Sequence, residues 1–114
     1  QYVLLSVGKQ DEKYVIELFD SGGEFDSRVI NDLGIKRHTT RKKQGGSGIG
    51  LYNTYSLLRK NGGGLCIDET VDSPLYTKKL VITFGGDGDL VLKTHDIKKA
   101  ALCAGRRDLK IINE

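Results

Sequence analysis

A two-layer α/β (α+β) sandwich, with a mixed, mainly antiparallel sheet and helices on one face, is predicted by three observations. Residues 2–7 and 14–19 alternate around a polar turn at 8–12, the pattern of a β-hairpin. Leu51, Tyr55 and Leu58 recur at i, i+4 and i+7 behind a glycine-rich run, the pattern of an amphipathic helix with one face on a sheet. Strand-like runs at 65–69, 76–84 and 90–93 then alternate with glycine turns and supply the rest of the sheet.

Element by element, the first hairpin is expected in the middle of the sheet. Asp26 can cap a short helix that carries Val29, Ile30 and Leu33 on one side, and Gly34 can end it. Gly62, Gly63 and Gly64 stop the second helix and allow the turn into the strand at 65–69. After the long strand at 76–84, Gly85, Gly86, Asp87 and Gly88 turn the chain into residues 90–93. Asp96 can cap a helix at 97–104, with Ile97, Ala101 and Leu102 at helical spacing and Gly105 at its end. A strand at 108–112 completes residues 94–114 as a C-terminal cap of the sheet.

Length and composition bound what such a chain can do. Its 114 residues, 38% of them hydrophobic, suffice for a single domain with a modest core. No apolar run is long enough to span a bilayer and no signal-peptide pattern occurs, so a soluble piece is expected. Cys66 lies in a strand-like run and Cys103 on a helix, without C-x-x-C spacing or clustered histidines. Both read as reduced core thiols rather than metal ligands. A net charge of +3 is too small to imply nucleic acid, and no aromatic residue is interleaved with the basic run 36–43 to stack on bases.

The densest chemical signal is Gln44-Gly-Gly-Ser-Gly-Ile-Gly-Leu51, four glycines in six residues just before the helical pattern. Glycine allows close backbone approach, and a helix start presents unpaired N–H groups with a partial positive charge. Together these make an anion cradle, typically for phosphate. Leu51 stands where a dinucleotide fingerprint needs a small residue, and no Lys-Ser/Thr pair follows as in a P-loop. A flexible turn is the plain alternative. Upstream, the run 14–19 ends in Asp20-Ser-Gly-Gly-Glu24. An acid at a strand end, followed by glycines that keep the wall open, can accept a hydrogen bond from the exocyclic amine of adenine. Asp, Ser and Gly also favour ordinary turns.

In order, these residues resemble the GHKL ATPase superfamily, and within it the catalytic domain of bacterial sensor histidine kinases. Asp20-Ser-Gly22 is similar to the first glycine box, Gly46-Ser47-Gly48-Ile49-Gly50-Leu51 to the second, and Lys36 to Lys43 stands in the place of the ATP lid. The phrases F-D-S-G-x-E-F, L-G-I-K-R-x-T-T and G-G-S-G-I-G-L most resemble kinases of the quorum-sensing peptide-receptor type. The resemblance covers roughly residues 2–84 and implies a Bergerat-type sandwich that binds ATP with Mg²⁺. It implies that Asp20 reads adenine, that Gly22 and Gly23 leave room for the base, and that Gly46, Gly48 and Gly50 cradle phosphates. Arg41 and Lys43 become lid cations, and Thr83 a strand threonine near the adenine, with Thr77 as its rival.

Two departures accompany the resemblance. Glu24 replaces the second glycine of the first box, and the helix whose asparagine would ligate Mg²⁺ has no counterpart before Asp20, since Asn31, Asn53, Asn61 and Asn113 all follow it. The chain is therefore expected to be the C-terminal part of a larger kinase, inactive by itself. That parent would be a membrane-bound sensor with this domain in the cytoplasm, its partners a separate dimerisation and phosphotransfer domain and, indirectly, a response regulator. His38 and His95 read as exposed polar residues rather than phospho-acceptors, and no self-contained catalytic group can be assembled. A degenerate nucleotide-binding or partner-binding module of the same fold is the alternative.

Overall fold

A computed structural model describes residues 2–35, 48–85 and 88–114, with the backbone alone at 48–50. The elements in chain order are β1 (Val3–Gln10), β2 (Lys13–Asp20), α1 (Ser27–Asp32), α2 (Gly48–Lys60), β3 (Gly64–Asp68), β4 (Lys78–Phe84), β5 (Leu90–Thr94), α3 (Ile97–Cys103) and β6 (Leu109–Asn113). The six strands form one mixed sheet in the order β1-β2-β4-β3-β5-β6. The fold is thus a mixed α/β arrangement consistent with the two-layer sandwich expected, a sheet architecture not peculiar to the Bergerat type.

β1 and β2 are joined at a two-residue turn, with Asp11 and Glu12 both at positive φ and Gln10 opposite Lys13. This primed geometry matches the strand twist. The hairpin does not occupy the middle of the sheet, as the sequence suggests. Among the described residues β2 finds a second partner, β4, and β1 is left as an edge. Alternation within a hairpin looks the same at an edge and in a centre, so periodicity alone could not separate them.

Periodicity also leaves the partner of β5 open: β5 lies parallel to β3, with Leu65 opposite Leu90, and β6 continues parallel to β5 with Leu90 opposite Leu109. The parallel pairing of β5 and β6 is made possible by α3, which carries the chain back along the sheet between them.

All three helices contribute to one core. Val29, Ile30 and Leu33 from α1 and its end, Leu51, Tyr55 and Leu58 from α2, and Cys103 from α3 pack with Leu65, Ile67, Leu90, Leu92 and Leu109 of the sheet. Asp26 caps α1 by accepting from the Arg28 N–H, and Asp96 caps α3 by accepting from the Lys99 N–H, as expected. The buried face of α3 differs from the expectation. Ile97 and Leu102 are exposed at 74% and 56%, while Lys99 and Cys103 turn inward. An ion pair described below decides that rotation.

Arg106 ties α1 to the C-terminal cap. Its Nη1 donates to the carbonyls of Ile30 and Asn31 at the end of α1, and Nε and Nη2 donate to Asp108. The guanidinium thereby adds donors to the carbonyls at the end of α1, where the Leu33 N–H also donates to the Ile30 carbonyl. Because the helices sit over β3, β5, β6 and part of β4, the corresponding face of β1 is uncovered: Val3, Leu5 and Val7 are exposed at 61%, 61% and 68%.

Candidate functional site

At one end of the sheet the antiparallel register lines up Asp20 of β2 with Lys78 of β4, and Glu69 follows directly on β3. Leu18 and Leu80, two residues inward on the same strands, are also opposite one another, and Leu80 packs against the core beneath the helices. The period of two therefore places Asp20 and Lys78 on the helix-bearing face, where polar side chains meet the edge of the apolar core.

Asp20 ends β2 as the sequence predicts. Its Oδ1 accepts from the Gly22 N–H at 2.6 Å, and its Oδ2 lies 3.3 Å from the Lys78 ammonium. The Asp20 side chain keeps 27% of its surface exposed, against 4% for Lys78. Lys78 also donates to the Gly23 carbonyl at 2.7 Å and stands 5.0 Å from the centre of the Phe25 ring. A Cβ at Gly23 would meet nothing within 4 Å, so the strand end opens there rather than being walled.

Of the two rival threonines, the structure brings Thr77 to this place. Its hydroxyl donates to the carbonyls of Asp20 and Gly22, and its N–H donates to the Asp20 carbonyl. Thr83 is corrected out of the group: it pairs with Val15 and Gly64 at the opposite end of β4. Five residues of extended chain separate Thr83 from Lys78, about 16 Å at strand rise. Sequence spacing alone could not fix the register that decides between them.

A second ion pair braces the same loop. Lys99 of α3 donates to both carboxylate oxygens of Glu69, at 2.7 and 2.9 Å, and Glu69 Oε2 accepts from the Phe25 N–H at 3.2 Å. The Glu69 side chain is fully buried and that of Lys99 is 8% exposed. Burial foremost pushes the Glu69 carboxyl above its ordinary range, and the Lys99 hydrogen bond pulls it back down. The Glu24 side chain is 48% exposed and lies 3.9 Å from Lys99. It faces the ion pair, not the open side of the loop.

The glycine run reaches the structure only in part. Arg41, Lys43, Gly46 and Ser47 lie outside the described residues, whereas Gly48, Ile49 and Gly50 form the first turn of α2. Leu51 is 3% exposed in the core, so its side chain packs and does not face a ligand. The distal half of α2 lies at the Thr83 end of the sheet. Gly63, directly after the helix, sits where a Cβ would be 2.7 Å from Leu58 and 3.0 Å from the Thr83 carbonyl. Since β3 begins where α2 ends, a helix packed along β3 runs back towards the end that carries Asp20.

Lys78, Glu69 and Lys99 were not found by sequence reasoning. A strand that opens with two lysines, Lys78 and Lys79, is a weak sign that one of them points inward. Among the described residues no group of three His, Cys, Asp or Glu side chains converges to hold a metal ion. Cys66 and Cys103 are free thiols. Cys103 lies in the core as expected, whereas Cys66 is half-buried on the face of β3 away from Leu65 and Ile67 and is not part of the core. No helix among the described residues is long and apolar enough to cross a membrane.

The arrangement can accept a donor at the exposed part of a fixed carboxylate beside a loop that is open at Gly23, and can offer helix-start N–H groups to an anion. Comparison of the chain with protein-family models, with curated proteins and with solved structures finds no match.

Proposed function

We propose that this chain is the ATP-binding catalytic region of a bacterial sensor histidine kinase, which presents nucleotide for γ-phosphoryl transfer to a histidine on a separate dimerisation domain. The observation that carries the reading is the Asp20 strand end, a partly exposed carboxylate held by Gly22 and flanked by Thr77 and an open Gly23. A helix that starts in glycines runs back towards that end.

In this reading Asp20 accepts from the exocyclic amine of adenine, and Gly22 and Gly23 leave space for the ring. Backbone N–H groups between Gly46 and Gly50 take phosphate oxygens, and Arg41 and Lys43 offset their charge. Bound Mg²⁺ would supply further charge neutralisation; none of the described residues is assigned to it. Catalysis of this class rests on positioning and electrostatics rather than on a covalent group of the protein. The degenerate, non-catalytic module is favoured by a single observation, the buried Lys78 ammonium that is already ion-paired with Asp20.

Calorimetry with ATP and ADP tests the assignment. Asp20→Asn is expected to cost about 1.5–3 kcal/mol of binding, against about 0–1 kcal/mol for Arg41→Ala or Lys43→Ala. Lys78→Met, made alone and with Asp20→Asn, separates loss of the ion pair from loss of the acceptor. Unchanged affinity in Asp20→Asn together with abolished binding in a lid variant would refute the adenine role. Absence of binding by the parent chain at millimolar nucleotide would leave the non-catalytic module. As a second check, Gly48→Val should lower affinity without lowering thermal stability, because a branched side chain would fill the phosphate cradle.

A further inference from the structure

Among the described residues β1 is an edge strand, and it lacks the proline, the bulge and the repeated charges that commonly keep an edge from pairing. All eight of its residues are exposed, it contains no proline, and Lys9 is its single charged side chain. The register with β2 runs unbroken from Val3 opposite Asp20 to Gln10 opposite Lys13, so no bulge twists the edge away.

The direction of its free backbone groups follows from one hydrogen bond. The Tyr2 carbonyl accepts from the Ser21 N–H at 3.0 Å, so Tyr2 turns its polar backbone towards β2. In an antiparallel ladder this alternates along the strand. Leu4, Ser6 and Gly8 then bond inward, and the N–H and C=O groups of Val3, Leu5, Val7 and Lys9 point out from the edge. The same four residues place their side chains on the helix-bearing face, where Val3, Leu5 and Val7 are at least 61% exposed.

We infer that this edge is a self-association surface, on which β1 of a second copy of the chain pairs antiparallel to extend the sheet across a two-fold axis. A second β1 fits both features at once: it brings an equal row of outward backbone groups and an equal apolar row. With the axis at Ser6, Leu5 lies opposite the partner's Val7 and Val3 opposite the partner's Lys9, so apolar side chains meet and no like charges are opposed. The pairing is isologous, as a closed dimer requires. An eight-residue strand pair buries less than the ~800 Å² per partner of a standard interface, so association is weak and concentration-dependent.

Sedimentation equilibrium on the 114-residue chain tests this, with hydrogen exchange at low and high protein concentration. The expected result is a mass that doubles as concentration rises into the millimolar range, with new protection confined to the amides of Val3, Leu5, Val7 and Lys9. Leu4, Ser6 and Gly8, already bonded to β2, should not change. A Leu5→Glu/Val7→Glu variant and a Leu5→Lys/Val7→Lys variant should each remain monomeric and keep the parent circular dichroism, since both positions are solvent-exposed. Mixed one to one, they should form a heterodimer. A parent chain that stays monomeric at millimolar concentration overturns the proposal, and so does dimerisation that persists in either charged variant or spares the outward amides.

Discussion

Glu69 is a pH-responsive carboxylate beside the candidate site. Its folded pKa is raised, chiefly by burial, so its contribution to stability is whole below the ordinary carboxylate range and declines as pH rises through the elevated value. Lys99 limits that decline. Lys99→Met is expected to cost about 3–5 kcal/mol near neutral pH, because a buried charge loses its partner. The penalty should shrink on acidification as Glu69 takes up a proton, and urea unfolding at a series of pH values measures it. A penalty that does not vary with pH would mean that Glu69 is not the responsive group. Cys66 offers a separate check on burial. Desolvation, helped by Asp68, pushes its thiol up to about 11. At pH 8 its thiolate fraction, and with it alkylation by iodoacetamide, should be about two orders of magnitude below that of an unperturbed thiol. Reaction at the rate of a free cysteine would contradict the half-buried placement.

Among the elements, the end of α1 and the packing of α2 are fixed by Gly34. Its φ is +80°, and a Cβ there would stand 2.7 Å from the Tyr55 ring. Gly34→Ala therefore combines left-handed strain of about 1–2 kcal/mol with displacement of a core aromatic. Gly105→Ala, where a Cβ meets nothing within 4 Å, should fall within about 0.5 kcal/mol of the parent. Thermal unfolding of the two variants side by side checks the contrast, and equal melting temperatures would refute it. The buried faces of α1 and α2 were legible in the sequence because Val29, Ile30 and Leu33, and Leu51, Tyr55 and Leu58, are apolar at helical spacing. The face of α3 was not. Hydropathy points to Ile97 and Leu102, but the Lys99–Glu69 pair and the burial of Cys103 turn those two residues outward. A spacing rule that ranks lysine as exposed cannot anticipate a carboxylate brought from another element.

For the molecule as a whole, the helices cover the sheet unevenly, and stability should follow that cover. Leu65 and Ile67 of β3 and Leu90 and Leu92 of β5 are at most 2% exposed, whereas β1 has no buried residue. Amides of β3 and β5 are expected to exchange only by global unfolding, and those of Leu4, Ser6 and Gly8 by local opening at lower free energy. At low protein concentration, equal protection across the sheet would contradict this gradient.

By itself the sequence determined that the chain forms strands and helices in this order, though not their lengths, since residues 8–10 extend β1 where a turn over 8–12 is expected. It also determined where Asp26 and Asp96 cap, which faces of α1 and α2 are apolar, and that Asp20 ends a strand before glycines. Each of these is written in neighbouring residues, through period, capping groups and turn geometry. Tertiary structure alone decided that the first hairpin is an edge, that β5 runs parallel to β3, that Thr77 and not Thr83 meets Asp20, and that Lys78 and Lys99 are buried. The physical reason is common to all four. Strand register and ion pairing depend on residues far apart in the chain, such as Asp20 with Lys78 and Glu69 with Lys99, and a local pattern holds no record of its partner.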